Sequence, residues 1–231
     1  MNRYSMRSTL AAATIAAQLV FIAGWAVLGA IEGHGYDAGR HDISDLAALT
    51  AQHATWSRLS LGISGAMTIA FALLVLRPEL RTADGRESVG AWLVALSLPG
   101  WDGLSDAFFR LDCRAADAGC TPSVAFGSWH ATIHLVSFVI AAPATAVAPF
   151  LLSRRMRVID GWRDLAGPTR IAGFVTIALL VVSGVTSGTA LQGWTQRGAA
   201  ALVAAGVALL AWRVLRLRSG VLRTATLVAG H

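Results

Sequence analysis

Two pairs of ionisable residues sit inside otherwise apolar stretches: Asp102 and Asp106, and His130 and His134. Residues four apart share one face of an α-helix, so each pair projects from its helix in a single direction. Charged groups at such depth are costly and normally face a protein interior or a wet cavity, where they find partners. Two imidazoles on one helix face plus a carboxylate form a plausible zinc donor set. In that scheme His130, His134 and Asp106 hold the metal, which brings the pKa of a bound water toward neutrality. Asp102 then serves as general base. The competing reading is a structural Asp–His network that locks two neighbouring helices together.

A second polar element, His41-Asp42-Ile43-Ser44-Asp45, precedes Leu46-Ala47-Ala48-Leu49. Asp42 or Ser44 can cap a helix N-terminus, and acids in a first turn suit the helix dipole. A short surface helix running to about Gln52 is expected. It either does no more than cap itself or lids a cavity, supplying His41, Ser44 or Asp45 to the chemistry.

The elements that must position these groups are membrane spans. Of 231 residues, 55% are hydrophobic and only 14% charged, against about 25% charged in soluble domains. A soluble enzyme, a disordered tail and a nucleic-acid module are excluded on that ground. The net charge of +6 is dispersed between apolar runs rather than gathered on one face, so no nucleic-acid partner is expected. Apolar runs at about 8–31, 57–76, 88–109, 129–152, 171–192 and 198–215 each approach the length that crosses a bilayer. The fold class expected is all-α, a single domain of six transmembrane helices with a short outer-loop helix. The first run is too long for a cleaved signal peptide and is retained as a helix.

All 19 basic residues are arginine, and 14 of them fall at the termini and in the two even-numbered loops, with five on the other side. Positive loops stay cytoplasmic, which predicts a multi-pass protein of the cell membrane with both termini inside. Eight of the 13 acids, and every histidine except His231, fall toward the outer half. Chemistry is therefore expected at the outer face. Counted inward from the outer boundaries, Asp106 pairs in depth with His130, and Asp102 with His134 about one turn deeper. Cys113 and Cys120 share an outer loop, an oxidising setting in which a local disulfide is the natural expectation. Gly184 and Gly188 form a Gly-x-x-x-Gly expected to pack closely against a neighbouring helix. Trp56, Trp129 and Trp194 fall at predicted outer boundaries and read as interface anchors.

The stretch HDISDLAALTAQHATWSRLSLGISGAMTIAFALLVLR, the FFRLDC after the third span, HLVSF at His134 and GWTQRGAAALVAAGVALLAWRVLRLR near the end resemble the bacterial membrane family known as domain of unknown function 998. The likeness extends over nearly the whole chain, and more distantly to the Frag1, DRAM and Sfk1 group of six-helix proteins. It implies a six-helix fold in which Ser44, Asp45, Asp112 and His134 lie near a common outer cavity. Asp102, Asp106 and His130 rest on spacing alone.

The function these features predict is a membrane-embedded, metal-assisted hydrolase or related enzyme. Its substrate would be a membrane lipid or small amphiphile at the extracytoplasmic face, with zinc the most plausible divalent metal. The site logic is similar to that of membrane ceramidase-type hydrolases, without any likeness in overall sequence. A small-molecule or proton-coupled transporter would use the same groups as a relay, although no inverted repeat is visible. A non-catalytic membrane partner is the third reading. Haem is disfavoured, because two histidines four apart on one helix cannot ligate opposite faces of one ring.

Overall fold

The structure is a computed structural model that describes residues 3–33 and 35–229, with side chains placed for 5–33 and 35–218. Among the described residues it is all-helical. The long helices are α1 (Arg3–Ile31) and α2 (Ala54–Phe71), the latter continued through a π-turn at Ala72–Leu76 to Glu79. After them come a broken segment made of α3 (Val89–Leu96), a π-turn (Leu98–Asp102) and α4 (Gly103–Asp106). The chain then runs through α5 (Trp129–Met156), α6 (Arg163–Val185) and α7 (Gln192–Ala229). Neighbours in sequence are neighbours in space, and α7 returns to pack on α1, closing a ring.

Among the described residues, five helices are long and apolar enough to cross a membrane: those beginning at Ser5, Ala54, Trp129, Arg163 and Gln192. Their sides carry exposed apolar residues such as Leu19, Val27, Ile63, Val139, Ile171, Phe174 and Val181. That inversion of the soluble pattern marks a multi-pass membrane protein. Trp56, Trp129 and Trp194 are all exposed, as interface anchors should be.

The run expected as one continuous span at 88–109 is instead the broken α3–α4 segment. Ser97 is extended, Pro99 opens the π-turn, and the helix stops at Asp106 rather than 109. Proline removes a donor and clashes with the preceding turn. The neighbouring Leu98 amide is satisfied across the bundle by Thr145 Oγ1 at 2.8 Å. Gly100 belongs to this turn, because a Cβ there would lie 2.4 Å from the Ala95 carbonyl.

Gly65 on α2 lets the two backbones meet. A methyl group at that position would fall 2.3 Å from the Leu104 nitrogen and 2.7 Å from the Gly100 carbonyl. Gly65→Ala must push the α4 backbone away, at a cost of about 1–3 kcal/mol by analogy with other overpacked sites. A lowered unfolding temperature in detergent is the expected result, and a variant as stable as the parent would contradict the contact.

The two ends of the ring differ. At one end Arg7 and Arg218 both pair with Glu79, bringing the N-terminal part of α1 and the late turns of α7 to the 77–88 loop. Arg155 donates to the Glu87 carbonyl and Arg213 pairs with Asp164 at this same end. At the other end the 32–53 and 107–128 loops interlock through Leu49 N to Leu111 O at 3.0 Å. The apolar core, including Phe71, Val75, Leu76, Val94, Leu152, Met156, Trp162 and Val214, fills the half nearer Glu79. Buried polar groups are left concentrated in the other half.

The Gly184 and Gly188 expectation is corrected. Helix α6 ends at Val185, Gly188 sits in a turn at φ +77°, and a Cβ on either glycine would meet nothing within 4 Å. The residues are spaced correctly but do not share a helix.

Candidate functional site

Helix α5 is started by Ser128, whose side chain accepts from the Ala131 amide. Asp112 fixes that start, accepting from the Ser128 amide and hydroxyl at 2.7 Å each. The carboxylate implied by the resemblance thus anchors the helix that carries His134. Five residues into α5, His134 Nδ1 lies 2.7 Å from Asp106 Oδ1 at the end of α4; Asp106 is buried and His134 half-buried, with its Nδ1 enclosed. Asp102, the last residue of the π-turn that precedes α4, lies beside Ser137 and within electrostatic reach of the imidazole. The 2.7 Å contact lacks hydrogen-bond alignment. Asp102 Oδ1, Asp106 Oδ1, Ser105 Oγ, Ser137 Oγ and His134 Nδ1 are all buried without an aligned partner among the described residues. Such a concentration of unused polar capacity is unusual in a folded interior.

His130 does not join this cluster. It is exposed, stacks on Trp129 with ring centroids 3.6 Å apart, and lies 6.2 Å from the Phe109 ring. The expected depth pairing is therefore displaced by one turn, with Asp106 opposite His134 rather than His130. The reason is the early stop of α4, past which α5 projects by about one turn, or ~5 Å. Among the described residues no three His, Cys, Asp or Glu side chains gather as a metal-binding group. The zinc donor set of His130, His134 and Asp106 is not assembled.

The outer loop folds differently from the expected surface helix. Only Ser44–Ala47 is helical, as a single 3-10 turn, with Ile43 rather than Asp42 or Ser44 at its N-cap. Asp45, Leu46, Ala47 and Ala48 are buried and Ser44 is half-buried, so the turn packs inward instead of lying on the surface. Asp45 Oδ1 accepts from the Ala115 amide at 3.3 Å, while its second oxygen is buried and unpartnered. Burial pushes its pKa up to about 7. His41 accepts the Asp37 amide on Nδ1 at 2.8 Å, and burial lowers its pKa. Its carbonyl is held by the buried Arg197, which also donates to Ala38 O and to the Tyr36 hydroxyl. Asp42, raised by burial, accepts from Gln192 at 2.7 Å and lies within electrostatic reach of His134. The loop acid coupled to the cluster is thus Asp42, whereas Asp45 faces the 107–128 loop.

That second loop is fixed by a buried ion network and a disulfide. Arg114 bridges Glu32 at 2.8 Å and Asp117 at 2.6 Å. Glu32, fully buried, also accepts from the Gln52 and His53 amides. Burial acts upward on Asp117 but is outweighed by hydrogen bonds from Arg114 and Thr50, leaving its pKa lowered. Cys113 and Cys120 are bonded, as the shared outer loop predicted.

A family model described as a protein of unknown function, DUF998, matches residues 15–213, most of the chain. The chain belongs to the DUF998 family. Comparison with curated proteins and with solved structures finds no match. Nothing in the comparisons supports the more distant likeness to the Frag1, DRAM and Sfk1 group.

Within this DUF998 protein, then, Asp102, Asp106 and His134 form one buried cluster. Asp42 stands near it, His41 and Asp45 bind neighbouring loops, and His130 is turned out. Sequence reasoning missed Asp42 as a neighbour of the cluster, because capping explained it. It also missed Arg197, Glu32 and Arg114, whose partners lie far away in sequence. Ser137 carried a signal, standing three residues after His134 and so on the same helix face.

Proposed function

We propose that this DUF998 protein is a membrane-embedded acid–base enzyme acting on a lipid or small amphiphile at the extracytoplasmic face. His134 is its base and Asp106 the residue that orients it. The observation that carries this reading is the buried 2.7 Å contact of His134 Nδ1 with Asp106 Oδ1. A small rotation of the ring brings Nδ1–H into line with the carboxylate, which then selects the tautomer and leaves Nε2 to take a proton from water or a substrate hydroxyl. Asp102 and the Ser105 and Ser137 hydroxyls supply the remaining polar contacts. The chain makes six crossings in this reading, with the α3–α4 segment as the third and both termini cytoplasmic. Support comes from the arginine-rich Glu79 end, where α1 and α7 both arrive.

A metal-assisted version of the same chemistry needs Asp102 to close on Asp106 and His134 as the third donor, since His130 points away. Metal analysis of the purified protein beside His134→Ala tests it. A stoichiometric metal lost in that variant would restore the metal scheme.

The transport reading is favoured by one observation, that several buried polar atoms of Asp102, Ser105, Asp106, His134 and Ser137 have no hydrogen-bond partner among the described residues, as the members of a proton relay would. Proteoliposomes separate the readings. Turnover of ester- or amide-linked lipids should fall at least about 100-fold in His134→Gln, the usual contribution of a general base. Proton flux that depends on His134, with no lipid turnover, would replace the enzyme by a proton-coupled carrier.

A further inference from the structure

At the arginine-rich end, remote from the Asp106–His134 cluster, a cleft of about 470 Å³ opens between the 82–90 loop and the last turns of α5. Three guanidinium groups, Arg86, Arg154 and Arg155, line it against one carboxylate, Asp84. Asp84 is already engaged by Arg86 at 3.1 Å and by the Thr82 hydroxyl. Arg155 spends its donors on the carbonyls of Arg86 and Glu87, so its positive charge meets no carboxylate there. Arg154 is exposed and makes no hydrogen bond or ion pair among the described residues.

The floor of the cleft is the start of α3. Ser88 is the N-cap of that eight-residue helix yet makes no side-chain cap. Its hydroxyl is buried, with 1% of the residue exposed, and has no partner among the described residues. A serine at an N-cap normally accepts from the helix's own first turn. One that does not is free to bond a group arriving from outside. First-turn amides and the positive end of the helix dipole favour an anion at the same spot. Val89 and Val158 line the cleft and are each about three-fifths exposed, and the helices beside them carry further exposed apolar residues, Trp92 and Leu96 on α3 and Val147 on α5. Cationic groups, an unused hydroxyl and an apolar flank at the membrane boundary match an amphiphile whose polar end is a phosphate.

We propose that this cleft binds the phosphate of an anionic membrane lipid, with Arg154 and Ser88 as its principal ligands, Arg155 adding charge, and the acyl chains lying along Val89 and Val158. The site is separate from the acid–base cluster and does not depend on that reading. A free phosphate offers the same headgroup chemistry but nothing for the apolar wall.

The test uses the full chain, purified and exchanged into a neutral detergent. It is titrated separately with phosphatidylglycerol, phosphatidylcholine and inorganic phosphate, with bound lipid counted by native mass spectrometry and unfolding temperature followed in parallel. Phosphatidylglycerol should bind and protect, phosphatidylcholine should bind more weakly, and millimolar inorganic phosphate should not reproduce the protection. Arg154→Gln should weaken phosphatidylglycerol binding about five- to tenfold, the scale for one arginine at a charged membrane surface. Ser88→Ala should weaken it by a smaller factor. Arg157→Gln, an exposed arginine of the same end that does not line the cleft, should leave binding unchanged. Equal loss in Arg154→Gln and Arg157→Gln would reduce the effect to general surface charge and overturn the site. Equal binding of both lipids would overturn it as well, and protection by inorganic phosphate alone would replace the lipid with a soluble anion.

Discussion

Replacing Arg114 with methionine should destabilise the folded protein by about 3–5 kcal/mol, the range for breaking a buried ion pair from one side. Arg114 is 4% exposed and Glu32 fully buried. Without the guanidinium, the Glu32 carboxylate keeps only the amides of Gln52 and His53. It then carries a desolvated charge with no counter-ion. Asp117 loses its two guanidinium contacts at the same time and keeps only the backbone amide of residue 114 and the Thr50 hydroxyl as partners of its carboxylate among the described residues. The double variant Glu32→Gln with Arg114→Met should recover a large part of the loss, because it removes both charges instead of stranding one. The measurement is the unfolding temperature in detergent of the parent, both single variants and the double variant. If Arg114→Met matched the parent, the network would be no more than a solvated surface pair. If the double variant were worse than the sum of the singles, the ions themselves would be what the loops require. The network also holds Ala115 against Asp45, so the variant should loosen the loop over the cluster.

What the sequence made legible follows from which features are local. The division of arginines between the two ends needs only the positions of loops along the chain, and the structure puts Arg7, Arg86, Arg155 and Arg218 together around the 79–88 region. Cys113 and Cys120 are seven residues apart in one loop, so their pairing needed no long-range knowledge. That Asp106 meets a histidine on α5 was also legible, since antiparallel neighbours joined by one loop must face each other somewhere. Which histidine it meets was not legible. That depended on where α4 stops, and the break at Ser97 with its π-turn lets it stop three residues early. Pro99 and Gly100 signal a disruption, but nothing local says that the turn widens. Asp42 was read as a cap because an acid before an apolar run usually is one, whereas the observed turn begins after Ile43 and leaves Asp42 to Gln192, 150 residues away. Glu32 and Arg114, 82 residues apart, carry no mark of their pairing at all.

Asp45→Asn should remove a pH dependence that the parent protein carries between about pH 4 and 7. Burial lifts the Asp45 carboxyl from an ordinary 3.8 to about 7. Over that interval the folded chain holds a proton that the unfolded chain has released. Stability from this group is therefore full below pH 4, declines as the pH rises, and is lost above about 7. At about 1.4 kcal/mol per pH unit the decline is on the order of 4 kcal/mol. Asparagine cannot ionise, and its carbonyl oxygen can still accept the Ala115 amide. The two proteins should then unfold together near pH 4, and the variant should be the more stable at pH 8. Other loop groups titrate as well. His41, lowered by burial, costs stability as pH falls, and Asp42, raised by burial, acts in the same sense as Asp45. Both remain in parent and variant, so the difference between the two curves isolates Asp45 to the extent that the sites are independent. Asp42 is the nearest departure from that independence, because its charge acts on Asp45. Removing the Asp45 charge should slightly ease the ionisation of Asp42 and add to the stability of the variant at high pH. Parallel curves from pH 4 to 8, or a variant that is less stable at pH 8, would show that Asp45 is ionised in the folded protein and that the second oxygen finds a partner as a carboxylate.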